Sequence, residues 1–265
     1  MTARKNSPGK IASAQIKTYA PASVARGIHR ILKARGDRRT AAQASVYFKP
    51  HERIRTYGVS TPEFRRIERD LYQTIRNRWT VDDAFQFCDA LVRAKYMESK
   101  AVGLLLLSRY KRNFTPAHLQ SAKKWLEEQL CNNWALVDTL CPTVITPLLE
   151  KFPNLIGRVK KWSGSRNLWL RRSSLVSFIP LVRRGRALDD AYEVAETLFG
   201  DREDLIHKAT GWMLREAGKT DPDRLRKFLL EHGPRIPRTA LRYAIERFPE
   251  AERKQILVRT KSRVG

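Results

Sequence analysis

Apolar residues recur at three- and four-residue spacing along most of this chain. The runs are Phe64–Ile75, Ala84–Arg93, Ala101–Tyr110, Leu119–Leu130, Trp134–Leu149, Leu168–Leu181, Ala191–Leu198, Leu205–Leu214 and Leu225–Leu230. That period gathers each apolar set on one face of an α-helix, whereas the alternation that marks a half-buried strand is nearly absent. Helix starts are signalled by Thr61-Pro62-Glu63, Thr115-Pro116 and Asp221-Pro222, each a capping residue followed by a proline whose missing N–H costs nothing in the first turn. The pattern predicts an all-α protein of short helices joined by short loops.

No Gly/Ser-rich or Pro-rich linker interrupts the pattern, so it predicts one domain over 22–260, preceded by a basic arm over 1–21 and followed by a short tail over 261–265. Helices that come in pairs, with a repeat of roughly 35–45 residues, fit HEAT-like repeats stacked into a curved solenoid with a concave face. A globular helical bundle fits the same spacing. Within Trp134–Leu149, Pro142 cannot donate the backbone hydrogen bond that the carbonyl of Asp138 would accept, so a break is expected after Asp138. Either the helix ends and restarts there, or the bend aims the Asp138 side chain into a cleft.

Charge changes the picture. The 265 residues carry 52 Lys and Arg against 27 Asp and Glu, a formal charge of +25, and 42% of them are hydrophobic. The apolar share is enough for a core, and the self-repulsion of so many cations points to an anionic partner, nucleic acid first. From Lys151 to Leu188 there is no acid, while Arg158, Lys160, Lys161, Arg166, Arg171, Arg172, Arg183, Arg184 and Arg186 all fall inside. The segment is a candidate for binding phosphates, making the concave face of the expected solenoid basic; a solvated helix face is the plainer alternative.

Cys88, Cys131 and Cys141 are too few and too scattered for a disulfide framework or a zinc spacing, and His29, His51, His118, His207 and His232 form no ligand pattern. No metal and no cofactor is expected. The cysteine usage suits a reducing cytoplasm, and no apolar run approaches the roughly 20 residues that span a bilayer. The acid-free first twenty residues resemble a transit peptide in composition, but describe a DNA-binding arm equally well, and the arm is the reading adopted.

Candidate chemistry lies on three predicted helices. Trp134 and Asp138 are four apart, Trp169 and Arg172 three apart, and Lys208, Trp212 and Arg215 form a stripe. Thirty-four positions separate Asp138 from Arg172, and forty separate Arg172 from Trp212, about one helical repeat each. Residues one repeat apart stack side by side in a solenoid, so the three sets would line one surface. Each tryptophan taken singly is more often a core residue than a site residue.

These residues carry a resemblance. Tyr57-Gly58-Val59-Ser60-Thr61-Pro62-Glu63, Trp134-Ala135-Leu136-Val137-Asp138 with Pro142, Asn167-Leu168-Trp169-Leu170-Arg171-Arg172 and Gly211-Trp212-Met213-Leu214-Arg215-Glu216 follow one another as they do in the AlkD family of DNA alkylation-repair glycosylases, over about residues 55–245. The resemblance implies HEAT-like repeats that cradle duplex DNA, Asp138 serving catalysis, Trp134 and Trp212 flanking the lesion, and Arg172 holding a nearby phosphate. It also implies removal of the base without a deep pocket for an extruded nucleotide. Asn133 and Ala135 depart from the family pattern, which has a second aromatic and an acid there.

The expected activity is hydrolysis of the N-glycosidic bond of N3- or N7-alkylated purines in duplex DNA by a monofunctional glycosylase. The alkylated base is already cationic and a good leaving group, so one carboxylate, Asp138, suffices to stabilise the sugar cation and orient water. Trp134 and Trp212 would face the cationic lesion, and Arg172, Arg215, Lys208, Arg171 and Trp169 would hold the DNA. A monomer working at the bacterial nucleoid, with DNA containing alkylated bases as partner, is the corresponding expectation. The alternatives are a non-catalytic HEAT-like protein that binds damaged or branched DNA, and an RNA-binding or scaffolding solenoid.

Overall fold

The computed structural model describes residues 18–48 and 54–261, and every regular element among them is helical. Residues 1–17 of the arm expected over 1–21, the last residues of the tail and His51 lie outside the described residues. Among the described residues no helix is long and apolar enough to cross a membrane. The chain divides into two compact units, one ending at Val144 and the other beginning at Ile145.

The first unit runs through α1 (Pro21–Arg35), α2 (Arg38–Ser45), α3 (Thr61–Ile75), α4 (Val81–Val92), α5 (Met97–Leu107), α6 (His118–Glu127) and α7 (Trp134–Leu140). Its centre is α5, which packs against α1, α3, α4 and α7. The reason is compositional: Ala101-Val102-Gly103-Leu104-Leu105-Leu106-Leu107 leaves no polar side to turn to water, so the helix is surrounded. Thr80 and Asp83 form a reciprocal capping box at the start of α4.

The segment before α3 is held by one carboxylate. Glu98, at the start of α5 and buried, accepts hydrogen bonds from the backbone N–H groups of Tyr57 (3.1 Å), Gly58 (2.9 Å) and Val59 (3.1 Å), and from the Thr56 hydroxyl. Gly58 adopts φ +80°, and a Cβ there would lie 1.9 Å from the Asp37 carbonyl oxygen, so only glycine fits. Tyr57 stacks on Tyr96 with ring centroids 3.8 Å apart. Tyr57-Gly58-Val59-Ser60 is therefore a rigid lead into α3, whose cap position is Ser60, one residue before the expected Thr61.

The second unit contains α8 (Thr146–Lys151), α9 (Ile156–Lys160), α10 (Leu168–Val176), α11 (Ile179–Val182), α12 (Leu188–Thr197), α13 (Asp204–Ala217), α14 (Pro222–His232), α15 (Arg238–Ala244) and α16 (Glu250–Arg259). Here α13 is central and packs against α10, α11, α12, α14 and α15. Gly211 lets α15 approach closely: a Cβ at that position would lie 2.4 Å from both the Ala240 carbonyl oxygen and the Tyr243 Cβ. Asp221 caps α14 through the Arg224 N–H at 2.9 Å, with Pro222 in the first turn as its sequence predicts.

Two expected helices are each divided. The run Trp134–Leu149 becomes α7, a π-helical turn over Cys141–Ile145 that contains Pro142, and α8. The run Leu168–Leu181 breaks between α10 and α11, where Pro180 occupies the first turn of the new helix. Five helices, α1, α2, α9, α15 and α16, lie outside the apolar runs. In α9 and α15 only a few residues turn inward, too few to set a period.

Candidate active site

In the first unit the site is built on α7. Asn133, buried, caps the helix by accepting the Leu136 N–H at 3.0 Å, so one of the departures from the family pattern is a structural cap. From that start Trp134 and Asp138 project one turn apart, both half-buried. Trp134 stacks on Phe48, centroids 5.3 Å apart and planes 19° from parallel. Asp138 lies on the wall of a cavity of about 430 Å³, together with Phe48, Phe64, Leu105, Ala135 and Thr139. Ala135, the other departure, is part of this wall and leaves it apolar beside the carboxylate.

The chain leaves α7 through the π turn. A π turn widens the helix by one residue and frees carbonyl groups, a device common at functional positions. Two hydroxyls answer carbonyls here: Thr139 donates to Ala135 O at 2.8 Å and Thr143 to Thr139 O at 2.6 Å. The break expected from Pro142 is thus present, immediately after the turn that carries Asp138.

In the second unit α10 and α13 carry the remaining candidates. Asn167 caps α10 by accepting the N–H groups of Trp169 (2.8 Å) and Leu170 (3.2 Å). Trp169 belongs to the core at 9% exposure, and Arg172 is buried at 5%, its Nη1 donating to the Leu205 carbonyl at 2.6 Å. Arg171 is tied to its own surroundings: Nε donates to Asp201 at 2.6 Å and Nη1 to the carbonyls of Ser165 and Arg166. That guanidinium braces the loop before α10 and the loop before α13.

On α13, Lys208, Trp212 and Arg215 share the predicted face, with Trp212 half-buried. Lys208 pairs with Asp204 at 2.8 Å, and that hydrogen bond holds its ammonium above the ordinary lysine range. Arg172 and Tyr243 both act electrostatically on Lys208, which places all three in one neighbourhood. Arg215 pairs with Glu246.

The basic segment over 151–188 is less free than its sequence implies. Lys160 pairs with Asp190 (2.9 Å) and Glu193, Arg171 with Asp201, Arg183 with Glu216 (2.7 Å) and Arg184 with Glu150. These acids come from outside the segment, and only folding brings them in. Arg158, Lys161, Arg166 and Arg186 are exposed and form no ion pair among the described residues. No group of His, Cys, Asp or Glu among the described residues is arranged to hold a metal ion. The three cysteines are buried and form no disulfide among the described residues, and burial pushes the Cys88 and Cys131 thiols well up.

Phe48 was not among the residues singled out from the sequence. It follows α2, outside every apolar run, and only the fold sets it against Trp134.

The chain is thus all-α, carries a surplus of cations, and sets Asp138 on the wall of a largely apolar cavity one helical turn from Trp134. The pattern of DNA alkylation repair enzymes matches residues 28–248, and the chain belongs to that family. Among solved structures it is similar to a predicted DNA alkylation repair enzyme from Enterococcus faecalis, with a TM-score of 0.72 at 20% identity over 82% of this chain and 98% of that one. The two share a fold. No curated protein matches this chain.

Proposed function

We propose that this protein is a monofunctional DNA glycosylase that hydrolyses the N-glycosidic bond of N3- or N7-alkylated purines in duplex DNA. The observation that carries the reading is Asp138: a carboxylate on the wall of an apolar cavity, one helical turn from the half-buried Trp134 and just ahead of a π turn. A carboxylate facing a polyanion costs affinity, so its place beside an aromatic has to be repaid by chemistry. Membership of the DNA alkylation repair family supports the substrate class.

Alkylation at N3 or N7 makes the purine cationic and weakens its bond to the sugar, so no general acid is needed for departure. As the bond lengthens, positive charge grows on the sugar, and the Asp138 carboxylate stabilises it more than it stabilises the ground state. The same group orients the attacking water and takes up its proton. The face of Trp134 turned away from Phe48 attracts the cationic base, worth about 0.5–2 kcal/mol and absent for a neutral base. In this reading α13 presents Lys208, Trp212 and Arg215 to the same duplex. Arg172 orders that face through Leu205 and adds positive potential, with Arg171 and Trp169 beneath it. The helix pairs of both units are read as HEAT-like repeats of one DNA-binding domain over 22–260, acting as a monomer at the bacterial nucleoid.

The test is incubation with a duplex carrying N7-methylguanine, followed by identification of the released base and cleavage at the abasic site. Free N7-methylguanine supports the proposal. Tight binding without release overturns it in favour of a non-catalytic DNA-binding protein.

A further inference from the structure

The second unit holds an exposed aromatic that the reading above leaves without a task. Tyr243 on α15 is 37% exposed, and its hydroxyl makes no hydrogen bond among the described residues. Tyr19, exposed to a similar degree, is by contrast covered by the Arg78 guanidinium, 4.3 Å from its ring.

Its position is set by the α13–α15 crossing. Lys208, Gly211, Trp212 and Arg215 recur at three- and four-residue spacing, so they form one face of α13. Tyr243 stands directly over Gly211, where a side chain would bring two Cβ atoms to 2.4 Å. One turn further on, Glu246 reaches Arg215 on the same face, which fixes the register of the two helices. The exposed phenol therefore belongs to the neighbourhood of Lys208, on which it acts electrostatically. Arg242, its exposed neighbour, forms no ion pair among the described residues.

We propose that Tyr243 is a DNA-contacting residue, its Cβ packed over Gly211 and its hydroxyl donating a hydrogen bond to a backbone phosphate held jointly with Lys208. This rests on the reading that α13 faces the duplex. The chemistry suits the place. A tyrosine has only two side-chain torsions to lose on binding, and an uncharged donor near Lys208 adds a directed contact without deepening the charge repulsion on α13. A tyrosine needed only to fill the space over Gly211 would need its ring and not its hydroxyl.

The experiment compares the full-length parent with Tyr243→Phe and Lys208→Ala, measuring Kd for an undamaged labelled duplex against salt, with melting temperatures alongside. Tyr243→Phe keeps the ring and the packing, so its melting temperature should match the parent. Its Kd should rise on the order of tenfold, the effect of one hydrogen bond to a charged acceptor. The salt slope should stay unchanged, because no cation is lost, whereas Lys208→Ala should flatten it by about 0.9. Equal affinities for Tyr243→Phe and a duplex-binding parent overturn the assignment and leave the proposed function intact. A parent that does not bind duplex at all overturns that function, and the assignment with it.

Discussion

Trp134 lies face to face with Phe48, their ring centroids 5.3 Å apart, and Phe48 also lines the cavity that holds Asp138. The stack covers one face of the half-buried Trp134, one helical turn from the carboxylate. Aromatic pairs of this kind are worth about 0.5–1.5 kcal/mol beyond their buried area. Phe48→Ala should therefore lower single-turnover excision of N7-methylguanine by about three- to tenfold, with little change in affinity for undamaged duplex. Unchanged excision would mean that Trp134 needs no support from this neighbour.

Asp138→Asn is nearly isosteric and removes only the negative charge. It should cut excision by at least about a hundredfold, the usual scale for losing a group that stabilises developing charge. Duplex affinity should hold or improve, since one anion has gone. Retained excision would remove Asp138 from the chemistry.

Arg172 is buried against the Leu205 carbonyl, and the proposed function gives it an electrostatic task as well. Arg172→Ala takes the donor from the Leu205 carbonyl, which should cost about 1–3 kcal/mol of stability in urea unfolding. It should also weaken duplex binding with a shallower salt dependence, by about one phosphate contact. A stability loss with an unchanged salt slope would confine Arg172 to the fold.

Glu216, buried between Arg183 and Lys219 at 2.7 Å each, supplies a pH test in the second unit. Burial alone would raise its pKa, but the hydrogen bonds and charges of Arg183 and Lys219 outweigh it and hold the carboxyl below the ordinary glutamate range. A depressed folded pKa means that the contribution is complete above the unfolded value and fades as pH falls through the folded one. Denaturant midpoints should therefore drop below about pH 4.5, the ordinary glutamate range, and Glu216→Gln should be less stable at neutral pH and less pH-dependent below that value. Parallel pH profiles for parent and variant would contradict this.

The helical class, the caps at Asp221 and near Thr61 and the break at Pro142 were all legible along the chain, because each depends on residues within a turn or two. The face shared by Trp134 and Asp138, and that shared by Lys208, Trp212 and Arg215, follow from the same short-range period. Partners from distant segments were not legible. Phe48 reaches Trp134 across more than eighty positions, and Tyr243 comes to α13 only because Gly211 admits α15.

The basic stretch over 151–188 shows the division most clearly. Its lack of acids is a property of the sequence, yet four of its cations are paired with carboxylates that other segments bring in. Local period and capping are encoded over a few residues and survive without the rest of the protein. Which cations stay free for an anion, and which tryptophan is buried like Trp169 or left half-open like Trp134, depends on packing between helices far apart in sequence, and so was decided by the tertiary structure.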